Sequence, residues 1–491
     1  MNTPLRKVAL AMMGMVVLLL ANATYIQMFT ADDYRSDPRN RRVLLNEYSR
    51  ERGQLIAGGL PLASSVPTGG ELQFQRRYLD GPLYAPLTGY YSLRYGSGGM
   101  ENAMNSVLNG SDGRLFVRRL SDLITGRDPR GGHVELTADP AVQQAAFEEL
   151  ASRDYSGAVV ALRPGTGEVL GMASTPSYDP NRLASFDAAT QEAAWEEFTS
   201  EENGVPLRNR AVSAIYPPGS TFKLVTTAAA LESGTATPDT QLTAAPSITL
   251  DDTATQLQNY AGNRCGSGET APLTEALARS CNTAFAQLAA MVGEDALRAQ
   301  AEAFGIGEQD LRIPLPVAPS TIGDIPDTAA LQVSGIGQRD VALTPLQNAV
   351  IAATIANDGV RMAPEMVRNI LAPDFSAIDE FDPQRTGRAM SGRTAEQITQ
   401  MMIQSEEFTG GEGQISGVTI ASKTGTAEHG ADPETTAPHV WYVAFAPADD
   451  PQVAVAVVVE NGGDGSQDAT GGSVAAPIGR AVIAAALRDS S

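Results

Sequence analysis

Ser220 and Lys223 stand three apart in Tyr216-Pro-Pro-Gly-Ser-Thr-Phe-Lys-Leu-Val225. On a helix that spacing puts a hydroxyl and an amine on one face, about one turn from each other. Pro217, Pro218 and Gly219 end whatever precedes, so Ser220 is predicted to open a helix as its cap. Phe222 to Leu231 is apolar almost all round, the pattern of a buried helix. A serine at the start of such a helix, with a lysine one turn on, is a candidate nucleophile beside its base. A desolvated lysine can lose its proton, whereas an arginine cannot. Lys7, Lys223 and Lys423 are the only lysines among 35 basic residues. The two interior ones both fall in short motifs, the second in Lys423-Thr424-Gly425. A third motif, Ser280-Cys281-Asn282, lies between them.

The remaining chemistry is sparse. Three histidines (His133, His429, His439) and two cysteines leave little for a zinc site, and no metal or cofactor is expected. A net charge of −22 argues against a broad basic surface for nucleic acid. Gly417 to Thr424 has the spacing of a phosphate-binding loop, but Ser422 replaces its second glycine. His429 and His439 read as surface or strand residues.

Elements that could position the motifs follow from periodicity and punctuation. Val8 to Ala21 is continuously apolar and continues more weakly to Phe29, long enough to cross a bilayer. Arg6 and Lys7 before it place residues 1–7 inside and the rest outside, as a single-pass plasma-membrane anchor over 8–29. A cleaved signal peptide is the competing reading, since Ala21-Asn-Ala23 resembles a cleavage site. Either way Cys265 and Cys281 meet oxidising conditions and are expected to pair, stabilising by about 3 kcal/mol through loop closure; two buried free thiols are the alternative. Residues 30–133 read as a small β-rich pedestal, with a hairpin about Gly58-Gly59 and a short helix after Gly98.

From 134 to 491 the text alternates. Asp139-Pro140 starts a helix to Leu150. Gly157–Leu162 and Glu168–Ala173 read as paired strands, and an acidic helix covers Glu192–Glu202. Leu273–Met291 is helical with a break at 279–282, and Gln347–Ala356 is helical. Val418–Ser422 reads as a strand leading into Lys423-Thr-Gly425. His439–Ala446 and Val453–Glu460 form an antiparallel pair, and Val474–Leu487 a last helix. This is an α/β (α+β) layout with an antiparallel sheet flanked by helices.

Three motifs in this order, each in its context, form the set found in penicillin-binding proteins and class A β-lactamases. The chain resembles the class B penicillin-binding proteins, most nearly the actinobacterial A type. The likeness also takes in Arg52-Gly-x-x-Ile56, Gly99-Met-Glu101, Leu136-Thr-Ala-Asp139, Asn209-Arg-Ala211, Thr344-Pro-Leu-Gln347, Ala356-Asn-Asp-Gly359 and Lys423-Thr-Gly-Thr-Ala427. It departs at Gly337-Gln338, where Arg339 stands in place of the family's frequent glycine, and in a pedestal short for the class.

The resemblance implies acyl transfer on D-Ala-D-Ala stem peptides, with β-lactams as mimics. Ser220 would be acylated and Lys223 would take its proton. Ser280 and Asn282 would relay the proton and hold the substrate amide. Lys423 would supply positive potential, with Thr424 and Thr426 on the substrate carboxylate. The backbone N–H groups of Ser220 and Thr426 would stabilise the oxyanion, and Gly425 would keep the strand face clear for substrate. Glycan strands would come from a membrane glycosyltransferase partner. Two alternatives differ in outcome: a carboxypeptidase or β-lactamase using the same serine, and a non-catalytic β-lactam sensor or divisome scaffold. A cystine at Cys281 would pin the catalytic turn, so reduction should slow acylation.

Overall fold

The computed structural model describes residues 2–28, 47–115, 130–430 and 435–488. Strand β1 (Gly157–Leu162), β2 (Val169–Thr175), β3 (Ala421–Ala427), β4 (His439–Ala446) and β5 (Val453–Val459) form one antiparallel sheet in the order β3-β4-β5-β1-β2. β5 reads Val-Ala-Val-Ala-Val-Val-Val, apolar at every position, because both faces of the sheet are covered. Val455, Val457 and Tyr442 pack with α1 (Pro140–Ala151) and α7 (Ala476–Arg488). Ala454, Ala456, Trp441 and Phe445 face the other way. They join the core shared by α2 (Lys223–Glu232), α3 (Leu273–Ala278), α4 (Asn282–Val292), α5 (Pro345–Ala356) and α6 (Gly392–Thr409).

Local signals explain several of these boundaries. Asp139 caps α1, its carboxylate accepting from the N–H groups of Ala141 and Val142, with Pro140 at the first helical position. Thr344 caps α5 ahead of Pro345 in the same way. The Gly58-Gly59 hairpin forms, pairing Ala57 with Leu60. The acidic helix begins and ends earlier than its charges suggest, at Ala188–Thr199, because Asp187 caps it.

A second sheet of six strands runs Ala377–Glu380, Val367–Leu371, His133–Leu136, Leu55–Ala57, Leu60–Pro67 and Phe74–Tyr78. It draws strands from both sides of residue 134. Beneath it Glu101 is fully buried, accepting from Arg52 Nε at 2.7 Å, Arg76 Nε at 2.6 Å and the Tyr78 hydroxyl at 3.2 Å. Two motifs 49 residues apart, Arg52-Gly and Gly99-Met-Glu101, are thus two halves of one ion pair. Phe29, at the end of the expected anchor, and the pedestal stretches 30–46 and 116–129 lie outside the described residues. The helix Asn2–Met28 includes Pro4–Ile26, 23 residues long and apolar enough to cross a membrane, with none of its window buried against the protein. Cys265 and Cys281 are joined as a disulfide, their Cα atoms 5.7 Å apart.

Candidate active site

Ser220 does not cap a helix. It sits inside a 3-10 turn, Gly219–Phe222, which runs directly into α2. In such a turn residues i and i+3 eclipse, so Ser220 and Lys223 are brought closer to register than an α-helix would allow. The serine hydroxyl is therefore spared from capping and accepts from Lys223 Nζ at 3.0 Å. Gly219 makes the turn possible. Its φ is +52°, and a Cβ there would stand 2.5 Å from Thr426 O. That close approach lays the Ser220 turn against β3.

Lys-Thr-Gly425 likewise lies within strand β3, not after it: Lys423 pairs with Val443, Thr424 with Tyr442 and Gly425 with Trp441. β3 is the edge strand of the sheet. A Cβ on Gly425 would meet Pro218 O at 2.8 Å, Thr221 Cγ2 at 3.0 Å and Trp441 Cβ at 3.1 Å. The glycine thus makes room for the Ser220 turn, a role beside the expected one of clearing a face for substrate. Trp441 Nε1 fastens the same turn by donating to Pro217 O at 2.9 Å. Thr424 and Thr426 are half-buried on β3.

The break between α3 and α4 brings the third motif in. Ser280 takes a left-handed backbone, φ +62°, unusual for a side chain other than glycine. Lys223 Nζ donates to Ser280 O at 2.8 Å and to Asn282 Oδ1 at 2.8 Å, and lies 3.5 Å from Ser280 Oγ. Lys423 Nζ donates to Ser280 Oγ at 2.8 Å and to Thr424 O at 2.9 Å. Ser220, Lys223, Ser280, Asn282 and Lys423 therefore form one connected hydrogen-bond network.

Both lysines are fully buried. Burial, then the charge of Lys423, holds the Lys223 ammonium well below the ordinary lysine value. Burial alone brings Lys423 down to about 7. A neutral amine hydrogen-bonded to a half-exposed hydroxyl is the arrangement that activates a serine. The described residues hold no group of three or more His, Cys, Asp or Glu side chains that could bind a metal. His429 and His439 stack 3.6 Å apart at the far end of the β3–β4 pair, His439 on the strand as expected.

Two supports escaped the sequence reading. Behind β3, Glu406 of α6 accepts from Arg480 Nε at 2.7 Å, from the Tyr442 hydroxyl at 3.0 Å and from Ser422 Oγ. Beside α4, Asn282 Nδ2 donates to Gln258 O at 3.0 Å. Neither group belongs to a motif with recognisable spacing. Arg339 explains a departure that was visible: its φ is +64°, a conformation glycine adopts without strain.

Comparison with known proteins gives the family. The penicillin binding protein transpeptidase domain profile matches residues 157–484, and the penicillin binding protein A dimerisation domain profile matches 52–134. The chain is 57% identical over 494 residues to the peptidoglycan D,D-transpeptidase PbpA of Mycolicibacterium smegmatis, covering all of both chains. It is 54% identical over 491 residues to the protein of that name from Mycobacterium tuberculosis, covering 99% of each. The structure of the ceftriaxone acyl-enzyme complex of M. tuberculosis penicillin-binding protein A aligns with a TM-score of 0.88 at 54% identity, over 90% of this chain and all of that one. By its profile match and its full-length relatives, the chain belongs to the class B penicillin-binding protein transpeptidase family.

Proposed function

We propose that the chain is a peptidoglycan D,D-transpeptidase that cross-links stem peptides through an acyl-enzyme on Ser220. The observation that carries this is the buried Lys223 amine, 3.0 Å from Ser220 Oγ and depressed in pKa. Neutral Lys223 takes the Ser220 proton as Oγ bonds to the penultimate D-Ala carbonyl carbon. The oxyanion is held by the backbone N–H groups of Ser220 and Thr426, a placement supported by the turn's contact with edge strand β3. The tetrahedral adduct collapses, the C–N bond breaks, and the proton on Lys223 passes through Ser280 to the departing D-Ala amine. The amine of a second stem peptide then attacks the ester, its proton returning by the same route to Ser220. Asn282 holds the substrate amide. Lys423, Thr424 and Thr426 receive the terminal carboxylate, and β3 offers its open edge to the substrate backbone.

β-Lactams acylate the same serine, a reading supported by the alignment with the ceftriaxone acyl-enzyme complex of M. tuberculosis penicillin-binding protein A. The reading includes a plasma-membrane anchor with a cytoplasmic N-terminus, supported by Arg6 and Lys7 ahead of the apolar helix. It divides the chain at 133/134 into pedestal and transpeptidase domain, although the six-stranded sheet takes strands from both. It also includes a membrane glycosyltransferase that makes the glycan strands, since the two family profiles account for dimerisation and transpeptidation alone. Labelling with a fluorescent penicillin followed by peptide mapping tests the chemistry. A long-lived adduct on Ser220, lost in Ser220→Ala, is expected. Labelling retained by Ser220→Ala overturns the assignment, and rapid turnover of the antibiotic points to a hydrolase instead.

A further inference from the structure

Helix α4 begins beside the catalytic turn, yet its own cap is occupied elsewhere. Cys281 stands at the cap position and makes no side-chain cap hydrogen bond, its sulfur being bonded to Cys265. An uncapped helix start leaves N–H groups without partners, and here Thr283 N is buried. The missing acceptor comes from 24 residues upstream: Asn259 Oδ1 accepts from Thr283 N at 3.0 Å and from Thr283 Oγ1 at 3.3 Å.

Asn259 belongs to a strap, Gln256–Cys265, that crosses the motif. Its Nδ2 donates to Asn263 O within the strap and to Ala245 O outside it, both at 3.1 Å, so the side chain holds the strap's own turn while its Oδ1 ties the strap to α4. The residue immediately before it supplies the carbonyl that receives Asn282 Nδ2. The strap is closed at its far end by the Cys265–Cys281 bond. It contains Ala261 at φ +53°, a left-handed residue like Ser280 in the motif it contacts. Such backbone persists where its surroundings over-determine it.

An amide can present either end to a neighbour. Asn282 must turn Oδ1 to Lys223, and what enforces that choice is an acceptor on the opposite side for Nδ2. Gln258 O is that acceptor, and Asn259 fixes where it stands. One Asn282 N–H is thereby spent on the strap, leaving the other for the substrate amide.

We propose that Asn259 is a positioning residue for acylation, capping α4 from outside the motif and, through the Gln258 carbonyl, orienting Asn282 toward Lys223. This rests on Ser220 being the acylated residue with Asn282 among its partners. In Asn259→Ala the Asn282 amide loses its fixed orientation, and acylation of Ser220 by a fluorescent penicillin falls about 10- to 100-fold. Lys223 also loses a constant acceptor for its ammonium, while Lys423 still faces it from β3. The ammonium is then less favoured, and the acid limb of the pH–rate profile moves to lower pH.

A double-mutant cycle separates this from general damage. In an Asn282→Ala background the further change Asn259→Ala should cost little, because its effect passes through the missing amide. If the two losses multiply and the limb stays in place, the proposal is overturned. Should Asn259→Ala not yield folded protein, reduction of Cys265–Cys281 in the unmodified chain releases the same strap at its other end. A slower rate with the same limb shift supports the proposal, and unchanged kinetics refutes it. Failure of the unmodified chain to label at Ser220 would instead refute the transpeptidase reading itself.

Discussion

Lys223 and Lys423 address one hydroxyl from two different elements, their Nζ atoms 3.5 and 2.8 Å from Ser280 Oγ. Two ammonium groups so placed in a dry site repel each other, and the proton that leaves first leaves Lys223 neutral. Lys223 is depressed chiefly by burial and next by the charge of Lys423. Acylation should therefore rise with pH as Lys223 loses its proton and fall as Lys423, near 7, loses the charge that attracts the substrate carboxylate. Replacing Lys423 by Gln removes the repulsion and raises the Lys223 pKa. The acid limb then moves to higher pH, on top of a rate loss of about 100-fold or more. The pH dependence of penicillin acylation, compared between the two proteins, checks both the direction and the loss.

The same burial makes Lys423 costly to the fold. Its ordinary pKa of 10.5 falls to about 7 in the folded chain. Between those values the unfolded chain binds the extra proton, so the contribution of this group to stability rises with pH and is unfavourable at neutral pH. Lys423→Met removes the penalty while filling a similar volume. We expect a protein about 1–3 kcal/mol more stable at neutral pH and inactive, the exchange common where function strains a site. Thermal unfolding of the two proteins at neutral and at high pH measures it. The gap should close as the pH approaches the ordinary lysine value.

Glu406 carries the opposite sign. It neutralises Arg480, which is fully buried, and holds Ser422 beside Lys423. Glu406→Ala leaves a guanidinium buried without a counter-charge, a change that costs about 3–5 kcal/mol. Since Ser422 and Tyr442 lose their acceptor together, β3 loosens where Lys423 projects, and acylation should slow as well. Denaturant unfolding gives the first effect and penicillin labelling of the still-folded fraction the second.

What could be read from the residues, and what could not, divides along one physical line. Features fixed by short-range spacing were legible: the Ser220–Lys223 pair, the α3–α4 break at Ser280, and the apolar strands β1, β4 and β5. Ser220 was expected as a helix cap because Pro-Pro-Gly-Ser has the composition of one. Its 3-10 turn instead answers to the backbone of β3, 206 residues away at Thr426. Lys-Thr-Gly425 read as the end of a strand because none of the three is a strong strand former except threonine. Pairing with β4 overrides that preference. Glu406, Arg480, Gln258 and Asn259 carry no periodic signal at all. Their partners lie 16 to 74 residues away, and only the fold makes them neighbours.

Gly425 offers the sharpest test of how the Ser220 turn is seated. A methyl group there would press on Pro218 O at 2.8 Å, on Thr221 Cγ2 at 3.0 Å and on Trp441 Cβ at 3.1 Å. Gly425 is not among the residues with a left-handed φ, so alanine brings no backbone strain, and the whole effect is displacement. Pro218 and Thr221 flank Ser220, and a shift of a few tenths of an ångström there lengthens the Ser220–Lys223 hydrogen bond and moves the hydroxyl off its line of attack. Gly425→Ala should therefore lose about 10- to 100-fold in acylation rate. Its melting temperature should fall little, since β3 keeps its pairing with β4 and overpacking at one methyl costs about 1–3 kcal/mol. If Gly425 served instead to keep a face clear for substrate, the loss would appear as weaker binding, with the rate at saturating antibiotic intact. Separating the two constants by stopped-flow labelling over a range of penicillin concentrations decides between the accounts.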